Sequence, residues 1–219
     1  TVASTAGKAR TASSDPTFGV AQIKPYDMSV TSFVDRNIGN LTPADYYVKI
    51  YGMALRAMRR KCSELIVNGD GESSHVFYGM KIAKNKAGSN IFASVDVSAV
   101  DVNLLDTLYF AYGADTEVAG SARLLLTKED LKAIGQLRGT NEKRRLFTIE
   151  PDMANPNVGV IRDGGVVIPY TICPDLTSLS TATASTSAAI QTMIYGNPLN
   201  YELGLFSDFT VRVDESYKA

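Results

Sequence analysis

His75, Cys62, Cys173 and the acidic pair Asp70 and Glu72 are the residues of this 219-residue chain best suited to act as base, nucleophile or metal ligand, and His75 is its only histidine. A catalytic triad needs its histidine oriented by a carboxylate and within reach of a nucleophile. His75 instead follows the polar stretch Gly71 to Ser74, and we read it as a loop histidine. A hydrolase whose site is assembled from the scattered residues Asp70, Glu72 and His75 is the enzyme alternative. With one histidine and two distant cysteines, zinc-ligand spacing is absent. Cys62 falls on the apolar stripe of a helix-like stretch, and Cys173 precedes Pro174 at the end of a strand-like one. Both read as reduced thiols behaving as small core hydrophobes, with a single bridge between them as the other possibility.

The run Asn68-Gly69-Asp70-Gly71-Glu72 has the flavour of a calcium loop, but its sixth position is Ser73 where glycine is required and its twelfth is Gly79 where a bidentate glutamate belongs. A helix stop followed by a tight turn explains it better. No GxxxxGK[ST] and no GxGxxG after a strand occurs, so nucleotide chemistry has no support. The expectation is a protein that is not an enzyme, with no catalytic, cofactor-binding or metal residues and no cofactor.

Arg59-Arg60-Lys61 and Lys143-Arg144-Arg145 are short basic runs of the kind that usually form solvated faces. The balance of 22 basic against 23 acidic residues gives a net charge of −1. No global field would hold nucleic acid, so contact with DNA would be non-specific only. At 45% apolar residues the chain can bury a core in one domain or two joined lobes. No apolar run reaches the roughly 20 residues that span a bilayer. The chain opens on Thr1 and not methionine, which reads as a processed or incompletely represented start.

Residues 1–19, rich in Ala, Ser and Thr, read as a loop or arm, and Val20 to Val34 as extended chain, an edge strand broken at Pro25. Thr42-Pro43-Ala44-Asp45 supplies a cap and a proline at the first helical position. The helix that follows carries a stripe through Ile50, Leu55, Met58, Cys62 and Leu65, expected to pack against sheet or loops from the closing strands, and stops at a left-handed Asn68-Gly69. A second helix is expected from a cap at Ser98 with Asp101, through Leu104, Leu105 and Leu108, to Gly113. Arg123 to Thr127 reads as a buried strand feeding a helix capped by Thr127 with Asp130. A hairpin is expected around Asp163-Gly164, a loop over Thr177 to Ala189, and strands through Met193 to Tyr195, Tyr201 to Leu205 and Phe209 to Val213.

This order of elements resembles the major capsid proteins of tailed bacteriophages and prophages, of the Hong Kong 97 type. The long helix leaving through Ile66-Val67-Asn68-Gly69-Asp70-Gly71 is similar to that family's spine helix and its Leu-Asn-Gly-Asp-Gly exit. The strand Ala122 to Thr127 running into Asp130-Leu131-Lys132-Ala133-Ile134-Gly135-Gln136-Leu137-Arg138-Gly139, the pair through Val166-Val167-Ile168-Pro169, and the late Ile194-Tyr195-Gly196-Asn197 resemble its axial domain in order. The resemblance covers the chain from about Val20 onward. The family's amino-terminal arm and the first strand of its extended loop are missing, and the chain stops where many members add a peripheral strand, as a fragment would. No residue can be assigned to the covalent crosslink of some members.

The resemblance implies an α+β fold with a peripheral lobe on the spine helix and an axial lobe of mixed sheet flanked by helices. The expected division is an arm remnant at 1–19, a peripheral domain at 20–95 with its helix at about 42–68, an axial domain at 96–195, and return strands at 196–219. It implies a shell subunit that assembles in the bacterial host cytoplasm into hexamers and pentamers of a virion capsid around DNA, with no membrane partner. Copies of itself would be its partners, with scaffold, protease and portal proteins beside them. Arg138, Lys143, Arg144 and Arg145 are the candidate subunit contacts, because they follow the helix whose family counterpart lies near the symmetry axes. An encapsulin-like compartment shell is the alternative with the same fold.

Overall fold

Leu124 and Leu126 are buried while Arg123 and Leu125 are half-buried, and this period of two makes Arg123–Leu126 a strand, β1. The computed structural model describes residues 25–31, 43–71, 76–82, 84, 89–112, 122–139, 141, 143–181 and 190–207, the side chains of 43–47 excepted. The fold is mixed α+β. Besides β1 it has three α-helices, α1 (Pro43–Asn68), α2 (Leu104–Ala111) and α3 (Lys128–Gln136). The other strands are β2 (Thr148–Pro151), β3 (Val158–Asp163), β4 (Val166–Ile172) and β5 (Ile194–Gly196).

The five strands form one sheet in the order β2-β3-β4-β1-β5. β1 runs parallel to β4, in register Leu124 with Tyr170, and antiparallel to β5. The β3–β4 hairpin expected at Asp163-Gly164 is present, with Asp163 paired to Val166 across Gly164 and Gly165. Gly164 has φ 55°, a conformation that costs glycine little and that short hairpin turns demand. One sheet face carries Leu124, Leu126, Ile161, Ile168 and Tyr170, and it closes a core with Leu104 and Leu105 of α2, Ile134 of α3, and Phe147. Tyr195 of β5 meets Tyr112 at 5.5 Å between ring centroids and Tyr109 at 6.3 Å, which ties the end of α2 to the sheet edge.

The 26-residue α1 is continuous through Gly52 and is about 39 Å long. Its burial is uneven. Leu65 and Val67 are buried, Ile50, Leu55, Met58 and Cys62 are half-buried, and Val48, Tyr51 and Met53 are exposed. The segment that covers its end differs from the one expected. Residues 79–81 cross it, the Gly79, Met80 and Lys81 amides donating to the Gly69, Ile66 and Val67 carbonyls, and Asn68 Nδ2 donates to the Asp175 carbonyl at 2.7 Å. From the closing segment, the Tyr201 hydroxyl donates to the Tyr78 carbonyl at 3.0 Å.

Several local expectations are corrected. The left-handed residue after α1 is Gly71, φ 75°, and not Gly69, whose missing side chain is needed because any Cβ there would run into the backbone of Leu65 and Phe77. The second helix starts at Leu104 and not after Ser98, because the Asp101 carboxylate accepts the Asn103 amide at 3.1 Å and forms a local turn first. Residues 25–31 and 201–206 belong to no strand. Just before the latter, Pro198–Asn200 forms a 3-10 turn capped by Asn197, and Leu203 and Leu205 stay exposed. The edge strand β2 was not expected, although Phe147 and Ile149 alternate with Thr148 and Glu150; Pro151 ends it, as proline can on an edge. The expected arm at 1–19, the cap Thr42 and the strand at Phe209 to Val213 lie outside the described residues.

Candidate subunit-contact surfaces

The loop between α3 and β2 carries the four basic residues singled out in the sequence, and the backbone closes it into a narrow hairpin. Arg138 and Arg145 form an antiparallel bridge, and the Leu146 amide donates to the Leu137 carbonyl at 3.3 Å. Phe147, 2% exposed in the core, and half-buried Leu137 anchor the two ends. Arg138, Lys143, Arg144 and Arg145 are all exposed. The fold brings the four together, but they are not equivalent. Arg138 Nη1 donates to the Gly135 and Leu137 carbonyls, both at 3.0 Å, and so caps the carboxyl end of its own helix. Among the described residues, Lys143, Arg144 and Arg145 make no ion pair.

At the other end of α3, Asp130 is 0% exposed. Thr127 accepts the Asp130 amide at 3.2 Å, the cap expected from sequence, and donates its hydroxyl to Asp130 Oδ2 at 2.9 Å. The same carboxylate also gathers the chain after β4. Oδ1 accepts from Ser178 Oγ at 2.8 Å and from the Ser180 amide at 2.9 Å, and Oδ2 accepts the Leu179 amide at 3.2 Å. A buried carboxylate with this many donors is fully compensated, and its chemistry is structural. Sequence reasoning found its cap role and missed its hold on 178–180, because a serine-rich stretch carries no mark of the partner it will meet.

The remaining candidate chemistry is dispersed. A 580 Å³ concavity between the end of α1 and the β1–β4 end of the sheet is lined by Arg60, Val67, Leu125, Thr171, Cys173 and Asp175. Nearby, burial pushes Lys81 below the usual lysine range, and Cys173 opposes that shift. A second, 340 Å³ hollow on the face opposite the core contains Arg123, Glu150 and Asp152. There Glu150 is held by Arg162 at 2.9 Å and Arg123 donates to Thr171 Oγ1 at 3.0 Å. Cys62 and Cys173 are free and half-buried. His75 and Glu72 lie outside the described residues. Among the described residues no cluster of His, Cys, Asp or Glu could hold a metal ion, and no helix is long and apolar enough to cross a membrane.

Large apolar side chains are distributed in an uncommon way. Among the described residues, twelve apolar side chains are buried, while eighteen large ones are exposed, including Met53, Phe110, Leu199 and Phe206. No family model, curated protein or solved structure matches the chain.

Proposed function

We propose that the chain is a major capsid protein of the Hong Kong 97 type, a subunit that self-assembles into hexamers and pentamers of an icosahedral shell around phage DNA. The observation that carries this reading is α1, a helix about 39 Å long that buries only its carboxyl-terminal turns and leaves Val48, Tyr51 and Met53 exposed. A helix whose apolar stripe is mostly half-buried, with further apolar side chains exposed beside it, suits a subunit whose neighbours supply the rest of the burial. The order of long helix, Asn-Gly-Asp-Gly exit, strand-to-helix unit and hairpin supports the same assignment. In this reading the partners are other copies of the chain, with scaffold, protease and portal proteins during assembly, and DNA is held without sequence preference. The particle forms in the host cytoplasm, and the basic loop lies near a symmetry axis, Arg144 and Arg145 meeting acidic groups on a neighbour.

Electron microscopy of the purified chain, with nuclease digestion of any particles, tests the proposal. Closed particles or capsomer rings, with nuclease-protected DNA in the closed form, are expected. Shells that hold protein cargo and no DNA would indicate a compartment shell instead, and a chain that never associates would overturn the reading. Arg144→Glu with Arg145→Glu should weaken capsomer formation most at low salt.

A further inference from the structure

The charges of this nearly neutral chain are segregated. Residues 46–63, within α1, contain five basic residues and no acidic one, whereas residues 87–122 contain five acidic residues and no basic one. On α1, Lys49, Met53, Arg56 and Arg60 recur at steps of four, three and four, so they share one helix face over about 16 Å. All four are exposed, Met53 at 68%. Lys61 is neutralised by Glu64 at 2.9 Å, but among the described residues Lys49, Arg56, Arg59 and Arg60 have no ion pair. The acidic counterpart lies on α2 and the segment that leads into it. Asp96, Asp101 and Asp106 are exposed and make no ion pair among the described residues, and Asp106 lies one helical turn from Phe110, 74% exposed, with Val102 at 47% beside them.

We propose that the Lys49-Met53-Arg56-Arg60 face of α1 docks on Asp106 and Phe110 of α2, together with Asp101 in the turn that leads into it, in a second copy of the chain. This rests on reading the chain as a self-assembling subunit, and it identifies one of the contacts. Each face combines exposed charge of one sign with exposed apolar side chains, so burial and charge complementarity act together. Two-fold pairing of α1 with α1 would set like charges against each other. The contact therefore joins α1 of one copy to α2 of the other, either reciprocally about a two-fold axis or head-to-tail. A polyanion such as DNA fits less well, since an equal acidic surface on the same chain would repel it.

Sedimentation of the full 219-residue chain at low and high salt provides the test. Wild type should associate, and raising ionic strength from about 0.01 M to about 0.15 M, which shortens the screening length from about 30 Å to about 8 Å, should weaken association. Arg56→Glu with Arg60→Glu should weaken it roughly tenfold or more, and so should Asp101→Lys with Asp106→Lys. Mixing these two variants should restore it, because each then offers the charge the other lacks. All substituted side chains are exposed, and circular dichroism checks that each variant is folded; Arg56→Gln with Arg60→Gln, or Asp101→Asn with Asp106→Asn, replaces the corresponding one that is not. Unchanged association in either variant, or no recovery on mixing, would overturn the proposal. So would a monomeric wild type that shifts a random-sequence DNA duplex through Arg56 and Arg60, which makes nucleic acid the occupant. Shells formed normally by the Arg56, Arg60 variant would reject this contact and leave the capsid reading standing. Charge-dependent association without any shell would do the reverse.

Discussion

Asp130 and Ser178 are joined by a 2.8 Å hydrogen bond from the serine hydroxyl to Oδ1, across 48 residues of chain and within the buried interior. Through it the first turn of α3 and the exit from β4 are held as one unit. Removing the carboxylate leaves the amides of Leu179 and Ser180 without their acceptor and takes one bond from each of the Thr127 and Ser178 hydroxyls. Asp130→Ala should therefore cost about 3 kcal/mol or more, and Ser178→Ala about 1 kcal/mol. Urea denaturation of both variants checks the ratio; equal small effects would mean that the network is dispensable.

Tyr170 is 0% exposed, and among the described residues its hydroxyl has no hydrogen-bond partner. Burial accordingly pushes its pKa above the ordinary tyrosine value. Tyr170→Phe should leave stability unchanged or raise it by up to about 1 kcal/mol, since a buried unpaired hydroxyl opposes folding. Its cross-strand partner is Gly159, where an added Cβ would lie 2.8 Å from the tyrosine Cε1 and 2.5 Å from the Glu150 carbonyl. Gly159→Ala should cost about 1 to 3 kcal/mol. Thermal melts check both: Gly159→Ala should lower Tm and Tyr170→Phe should not.

Leu65 and Met53 sit on the same helix with opposite environments, 8% and 68% exposed. Leu65→Ala should cost about 2 to 4 kcal/mol in the dissociated chain, and Met53→Ala should be close to neutral there. In the associated state Met53→Ala should weaken binding between copies. Chemical denaturation below the association concentration, compared with sedimentation above it, separates the two effects.

Burial pushes the Asp163 carboxyl above the ordinary aspartate range, and the nearby Asp106 adds to the shift. A carboxyl with a raised folded pKa holds its proton more tightly in the folded state. Its contribution is thus present below the unfolded value of about 3.9 and is lost as pH rises through the raised one. At pH 7 the charge opposes folding, so Asp163→Asn should raise Tm at neutral pH and make little difference below about pH 4. A lowered Tm at pH 7 would show that Asp163 is held by a favourable partner.

Local chemistry was legible wherever a residue's role is settled by its near neighbours in sequence. The Thr127 cap, the turn at Gly164, the β1 strand and the length of α1 all follow from residues within one turn or one strand. The errors arose where a distant segment decides the outcome. Gly69 looked like the left-handed stop because glycine commonly is, but the crossing of residues 77–79 requires a missing side chain there and moves the positive φ to Gly71. The alternation at Tyr201, Leu203 and Leu205 suited a strand, yet the chain turns at Pro198 and pairs with nothing in the described sheet. The basic loop was found by composition; that Arg138 caps its own helix depends on geometry that composition does not encode.

The sheet order also dictates when the molecule can finish folding. β1 is the first strand made, yet its neighbours on either side are β4 and β5, the last two. The β2-β3-β4 meander can form by short-range pairing as it leaves the ribosome, whereas β1 must wait with both edges open until residues 166–196 have been synthesised. Pairings that distant are slow, and an unpaired apolar strand is a hazard during the delay. A chaperone that shields Leu124 to Leu126 during translation should therefore raise the yield of native chain more than one acting after release.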